Sequence, residues 1–478
     1  MMKLNKRFFL VLFLLVSVGP AVAKTWHTPQ DELVEQRQHA RNDVRFGELL
    51  FQGDEGEPDY VRAVTFLVRA VAQDVDLLVK KKALVLLGKI YYQGGYGVEQ
   101  DKTAAVGYFE ALVSLDTGSP DDMPFVERSL FATAYYYLAK IAYEGDAAGV
   151  QDWSQAHANL ELALLVSPDG DINFDVQVLL ARLFLVGHET LRQNLVQASR
   201  HVAQAYEMIQ QSPNYFSAEK KAEVFCMQGD LARVGVSDLI EKNYESAFAW
   251  YTQAYTLVQE TSLRLRYTVA LQIAQLFLRG GYNLQRDDTR AIPYLTTVDA
   301  QDLYPELRRS AQAVLCTIYF YKGNDLSQRD DSHERDVAQA ITCYTYVTQH
   351  EHDERRCAQA FLMLGDLYLE QDNSSEAHNC YIQVLELMAD DSDDVLYTGA
   401  YERATRLMCQ SSENVSEQEY DGASESGYAQ EGNENDAVVL SEQSGERESD
   451  IDTLESLHIA GASFNNSLVA SEHESEQE

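Results

Sequence analysis

Two histidines one residue apart, His350 and His352 in TQHEHDERR, are residue types that could hold a metal ion. On a helix, residues i and i+2 face apart, so the pair reads as part of a solvated turn. His378 and Cys380 would suit a base and a thiol nucleophile, and the same spacing keeps them from converging. The run GGYGVEQD, residues 94–101, has the glycines of a phosphate cradle. No strand pattern precedes it and no Gly-Lys-Ser or Gly-Lys-Thr follows, so it reads as a loop between helices. The acidic runs Asp121-Asp122, Asp330-Asp331 and ADDSDDV at 389–395 lack the glycine and closing glutamate of a calcium loop. The six cysteines contain no C-x-x-C pair, which leaves zinc and dithiol redox readings unsupported. In a chain with 75 Asp and Glu, no position singles out the paired carboxylates of a glycosidase. No catalytic residue, metal ligand or cofactor emerges, and the expectation is a non-enzymatic protein.

The informative spacing is of another kind. In LGKIYYQGGYGVEQDKTAAVGYFEA, residues 87–111, Leu87, Ile90 and Tyr91 stand at helical spacing around the small residue Gly88. A second helical pattern holds Ala105, Tyr108 and Phe109. The glycines 94, 95 and 97 separate the two, and Asp101 is placed to cap the second helix with its carboxylate. The unit is a helical hairpin too small to bury its own apolar face, so it must stack on copies of itself. Copies of the first helix recur around Gly47, Ala139, Ala181, Gly229, Ala274, Cys316 and Gly365. Each leads to a second helix with an anchor alanine: Ala63, Ala105, Ala156, Ala198, Ala247, Ala291, Ala340 and Ala377 in turn. From small residue to alanine the separations are 16, 17, 17, 17, 18, 17, 24 and 12. The seventh therefore reads as carrying an extra polar insert, DLSQRDDSHERD, and the eighth as a shortened hairpin.

This unit resembles the Sel1-like repeat, a longer-looped relative of the tetratricopeptide repeat, over roughly residues 40–390, and the last hairpin is similar to a true tetratricopeptide repeat. The resemblance implies an all-α, right-handed superhelical solenoid of about eight hairpins that presents surfaces to other proteins as a scaffold or adaptor. It names no partner. It also implies that first helices line a concave groove, with the positions one, four and five residues after the small anchor exposed there. Those positions place Lys89, Tyr92, Lys140, Tyr143, Arg182, Arg233, Arg279, Phe320 and Tyr321 on one inner stripe. Cations with aromatic company on an acidic body suggest a protein partner or acidic peptide as ligand.

Residues 1–23 read as a secretory signal, with Lys3, Lys6 and Arg7 ahead of the apolar run 8–18 and an Ala21-Val22-Ala23 cleavage site. No later stretch is long and apolar enough to span a bilayer. The expected product is exported, periplasmic or secreted. Residues 24–410 read as one continuous repeat array closed by a capping helix near 397–409. Residues 411–478 hold eighteen Asp or Glu against the single Arg447, too polar to offset ordering entropy, and are expected to be disordered. This tail is itself an acidic candidate for the groove. The net charge of -37 argues against nucleic acid as a partner. A chain that modulates an envelope enzyme, or a weak envelope hydrolase, is the alternative. Cys316, Cys343 and Cys380 occupy core positions of their repeats, yet export would permit bridging, for which Cys316 with Cys343 within repeat seven is the first candidate.

Overall fold

Gly47, Gly88, Gly229 and Gly365 have one common use, which organises the fold. A methyl group added to any of them would fall within 2.5–2.7 Å of a large side chain on the next helix: Leu67, Phe109, Tyr251 and Tyr381 respectively. Each glycine is thus a socket for the residue four positions after the anchor alanine of its repeat. The computed structural model describes residues 29–418, apart from 54–55, 74–75, 116–122, 168–169, 238, 259–260, 328–335 and 391–392. The expected signal segment and the tail beyond 418 lie outside the described residues.

Among the described residues the chain is all-α. Eight hairpins follow one another. They are α1 Pro29–Gln52 with α2 Tyr60–Gln73, α3 Leu77–Gln93 with α4 Lys102–Val113, α5 Phe125–Glu144 with α6 Trp153–Val166, and α7 Asp171–Val186 with α8 Leu195–Gln211. After them come α9 Ala218–Val234 with α10 Tyr244–Leu257, α11 Leu263–Arg279 with α12 Asp288–Asp299, α13 Pro305–Ser327 with α14 Val337–His350, and α15 Glu354–Glu370 with α16 Ser374–Leu387. A last helix, α17 Val395–Gln418, stands alone. The chain divides inside α7, between Val176 and Gln177, into two compact units. In the first unit α1 touches α3 and α3 touches α5, and in the second α11 touches α13 and α15 touches α17, so these helices lie side by side within their own unit.

All eight anchor alanines are 0% exposed. No volume is spare at such a contact, so Ala198→Leu should overpack and cost about 1–3 kcal/mol in chemical denaturation. Loss of stability no larger than that of an exposed loop substitution would show the register to be wrong.

The turns repeat as closely as the helices. The first helix ends on a glycine with positive φ, as at Gly94, Gly145, Gly187, Gly235 and Gly280. A side chain would be strained there and, at Gly187, would also meet the backbone of Gln193 at 2.5 Å. The chain then reverses through a single bridge, Gly95 with Val98, His188 with Leu191, Val236 with Ile240 or Gly281 with Leu284. The capping residue of the second helix donates its N–H back to the first: Asp101 to Tyr91, Asp152 to Ala142, Asn194 to Phe184, Asn243 to Ala232 and Asp287 to Phe277, at 2.8–2.9 Å. The same residue's side chain accepts from the amide three positions on, Asp101 from Ala104 at 2.9 Å and Asn243 from Ser246 at 2.9 Å. Asp101→Ala should therefore cost about 1 kcal/mol, read as a lowered denaturation midpoint that Asp101→Asn largely restores.

Three expectations are corrected. In repeat seven the socket is Gly323, not Cys316: a methyl there would lie 2.8 Å from the Tyr344 ring. Gly323 precedes Ala340 by 17 residues, the common separation, so the supposed insert vanishes and α13 is simply a longer first helix. Cys316 and Cys343 are free thiols, buried in one cluster with Phe320, Tyr344 and Leu364. Burial pushes the Cys316 thiol up to about 12, which disfavours the thiolate that exchange requires. Finally, the closing helix does not stop near 409. It buries Leu396, Ala400 and Ala404 and continues to Gln418, since no proline or glycine interrupts 400–418.

Candidate interaction surface

The side-by-side first helices carry the residues on which a binding role depends, and each has a definite place. In the first unit, Lys89 of α3 is half-buried with its ammonium 5.7 Å from the ring centre of Tyr137 on α5. Lys140 of α5 lies 5.4 Å from the ring of Tyr92 on α3. The two rings meet edge to face at 5.2 Å, and Tyr137 stacks on Phe109 at 5.3 Å. Two cations thus stand on one continuous aromatic surface. Burial lowers the Lys89 ammonium below the usual lysine range, and Asp175 and Glu48 partly counter that.

Tyr92 is buried, contrary to the expected exposure. Its hydroxyl donates to Glu144 at 2.6 Å, and burial beside that carboxylate raises it above the ordinary tyrosine range. Glu144 also pairs with Lys102 at 3.4 Å. Tyr143 is buried as well, against Trp153 at 5.0 Å. The fourth position after the small residue therefore points into the packing between hairpins rather than away from it.

The second unit holds the other five. Arg182 pairs with Glu223 of α9, and Arg233 lies 3.5 Å from Asp230, which also accepts the Tyr251 hydroxyl at 2.7 Å. Arg279 is the half-buried last residue of α11. Phe320 is buried in the Tyr344 cluster and Tyr321 is half-buried beside it. Phe320 was expected on the surface because it was counted from Cys316. Counted from Gly323 the position after the socket is Asn324, which accepts the Tyr344 hydroxyl at 2.6 Å. Asp366 accepts from Tyr381 at 2.7 Å in the same way. Residues placed on the open stripe by spacing are thus in part internal acceptors for the socketed tyrosines.

The spacing around the small residue does not reach the N-terminal halves of the first helices. Lys81 pairs with Glu127, Arg264 lies 3.3 Å from Glu306, Arg356 donates to Thr317 at 3.3 Å and Arg403 donates to Asp366 at 2.8 Å. The first three pairs each link one first helix to the next, and the last links α15 to α17. Tyr136 and Tyr137, just ahead of Leu138 and Ala139 on α5, were missed as well, although the run YYY at 135–137 was visible.

A family model described as the Sel1 repeat matches residues 45–75, 81–116 and 231–257, which fall on α1–α2, α3–α4 and α9–α10. Three stretches of the chain thus match the Sel1 repeat. Among solved structures it is similar to c5321, a protective antigen of uropathogenic Escherichia coli strains displaying an SLR fold. The two are 15% identical with a TM-score of 0.27, over 84% of this chain and 99% of that one. It is similar to a Sel1 repeat protein from Oxalobacter formigenes, at 15% identity and a TM-score of 0.27, over 72% and 96%. It is also similar to human IFIT1 in a dimer with m7Gppp-AAAA, at 14% identity and a TM-score of 0.30, over 73% and 72%. No curated protein matches the chain.

Proposed function

We propose that this chain is a non-enzymatic, exported scaffold that binds a partner protein along the first helices of its Sel1 repeats. The observation that carries this reading is the cation-bearing aromatic surface of Lys89, Tyr137, Tyr92 and Lys140, in a chain whose net charge is -37. Sel1 and tetratricopeptide repeats are typical of interaction scaffolds. Export rests on the pattern of residues 1–23, and the expected compartment is the periplasm or the medium. No helix of the described residues is long and apolar enough to cross a membrane. The acidic balance disfavours a nucleic-acid partner.

Fractionation of the native host followed by chemical crosslinking and purification of the tagged full chain tests the reading. A stoichiometric protein partner in the exported fraction is the expected result. Recovery only from the cytoplasm would overturn export, and turnover of peptidoglycan or glycan by the purified chain would overturn the non-enzymatic assignment in favour of an envelope hydrolase.

A further inference from the structure

The cations along the first helices are not equivalent. Lys81, Arg182 and Arg264, like Lys102 at the start of α4 and Arg403 on α17, each meet a carboxylate of the same chain. Lys89 does not: among the described residues it makes no hydrogen bond or ion pair, and its ammonium stands over the ring of Tyr137, 5.7 Å from the centre. Asp175 and Glu48 act on it only from beyond ion-pair reach. Withdrawing an ammonium from water without a hydrogen-bonded counter-charge is unfavourable, and a cation–π contact is a weak substitute for one. The surroundings are nevertheless rigid. Tyr137 is held between Phe109, Tyr92 and Tyr136 at 5.2–5.4 Å, and Tyr92 is fixed through Glu144. A fixed, partly desolvated ammonium with donor capacity left over, and a second cation on the adjoining ring, is a preorganised receptor for an anion.

We infer that Lys89 is the anchoring cation of a peptide-binding subsite in the first unit, which takes a carboxylate side chain from an acidic segment of a partner protein, with Tyr137 and Tyr92 forming its wall and Lys140 its second cation. This rests on the scaffold reading and narrows it to one place. The carboxylate completes the Lys89 shell with a charge-assisted hydrogen bond, and the flanking peptide lies over the half-buried Tyr137 ring. Glu144 does not compete, because Tyr92 and Lys102 already occupy it.

The test uses the full chain and a fluorescein-labelled twelve-residue synthetic peptide with Glu or Asp at alternate positions. Its Gln and Asn counterpart and sodium acetate are the other probes. Lysines are marked by reductive 13C-methylation, and the Lys89 signal is assigned with Lys89→Met. The acidic peptide should bind with an affinity that falls as salt rises, should move the Lys89 signal, and should lose about tenfold in affinity in Lys89→Met. Lys82→Met, at an exposed neighbour, should change nothing. Equal binding of the neutral peptide, an unmoved Lys89 signal, or no loss in Lys89→Met at unchanged thermal stability each overturns the subsite. So does acetate that moves the signal as far as the peptide at equal carboxylate concentration, since that describes a site for free anions. A stable partner captured from the host despite any of these would leave the scaffold reading standing and remove only the subsite.

Discussion

Gly229→Ala should destabilise the protein by about 1–3 kcal/mol, although the same change in an exposed helix normally gains up to about 1 kcal/mol. The sign is set by Tyr251. An added methyl group would stand 2.5 Å from its Cε1, and the ring has nowhere to go, being 0% exposed with its hydroxyl held by Asp230 at 2.7 Å. Overpacking therefore outweighs the gain in helix propensity. Repeats three, four and six suggest the remedy: where the first-helix residue is Ala139, Ala181 or Ala274, the second-helix residue is the smaller Leu160, Val202 or Leu295. Tyr251→Leu alone should cost about 2–4 kcal/mol through the cavity and the abandoned Asp230. The double variant should be more stable than the two single losses added together by about 1–2 kcal/mol. Urea denaturation of the four proteins measures the coupling, and additivity would show that the glycine is not a socket. Gly323→Ala should behave like Gly229→Ala, because Tyr344 lies 2.8 Å from the added carbon. Cys316→Ala should cost less than Gly323→Ala, whereas the register built on Cys316 requires the opposite order.

That register error shows what was legible in the chain and what was not. The repeat, its eight anchor alanines and the caps at Asp101 and its counterparts are local patterns, and local patterns survive in sequence. Leu315, Cys316, Ile318 and Tyr319 stand at the same spacing as Leu87, Gly88, Ile90 and Tyr91. Seven residues are two helical turns, so Cys316 and Gly323 share a face and periodicity cannot separate them. The spacing to Ala340 could, since 17 is the common value and 24 is not. The surface was less legible for a different reason. Whether Tyr92 points outward or into the chain depends on Glu144, 52 residues away, and whether Arg182 is available depends on Glu223, 41 residues away. No repeat pattern records such partners, because they belong to the contacts between hairpins. Lys89 stands apart because its neighbours on α1, α5 and α7 leave it without one.

The pairing that joins α3 to α5 should be sensitive in one direction only. Lys81 is 4% exposed, its ammonium is 4.8 Å from the ring centre of Phe131, and its ion-pair partner is Glu127 in the first turn of α5. Glu127 is the more exposed of the two, and its position at a helix N-terminus also suits a negative charge. Removing the carboxylate leaves a charge inside the protein with only an aromatic face for company, so Glu127→Ala should cost about 3 kcal/mol. Removing the lysine charge leaves a carboxylate that water still reaches, and the methionine in Lys81→Met keeps the stem packed. That variant should lose about 1 kcal/mol or less, the range of a volume-conserving exchange. The double variant Lys81→Met with Glu127→Leu replaces the ion pair by apolar contact and should return to within about 1 kcal/mol of the parent. Thermal and urea denaturation of the three variants give the order directly. A Glu127→Ala loss no larger than that of Lys81→Met would show that water solvates Lys81 in place, and that the first-helix faces of α3 and α5 are held by packing alone.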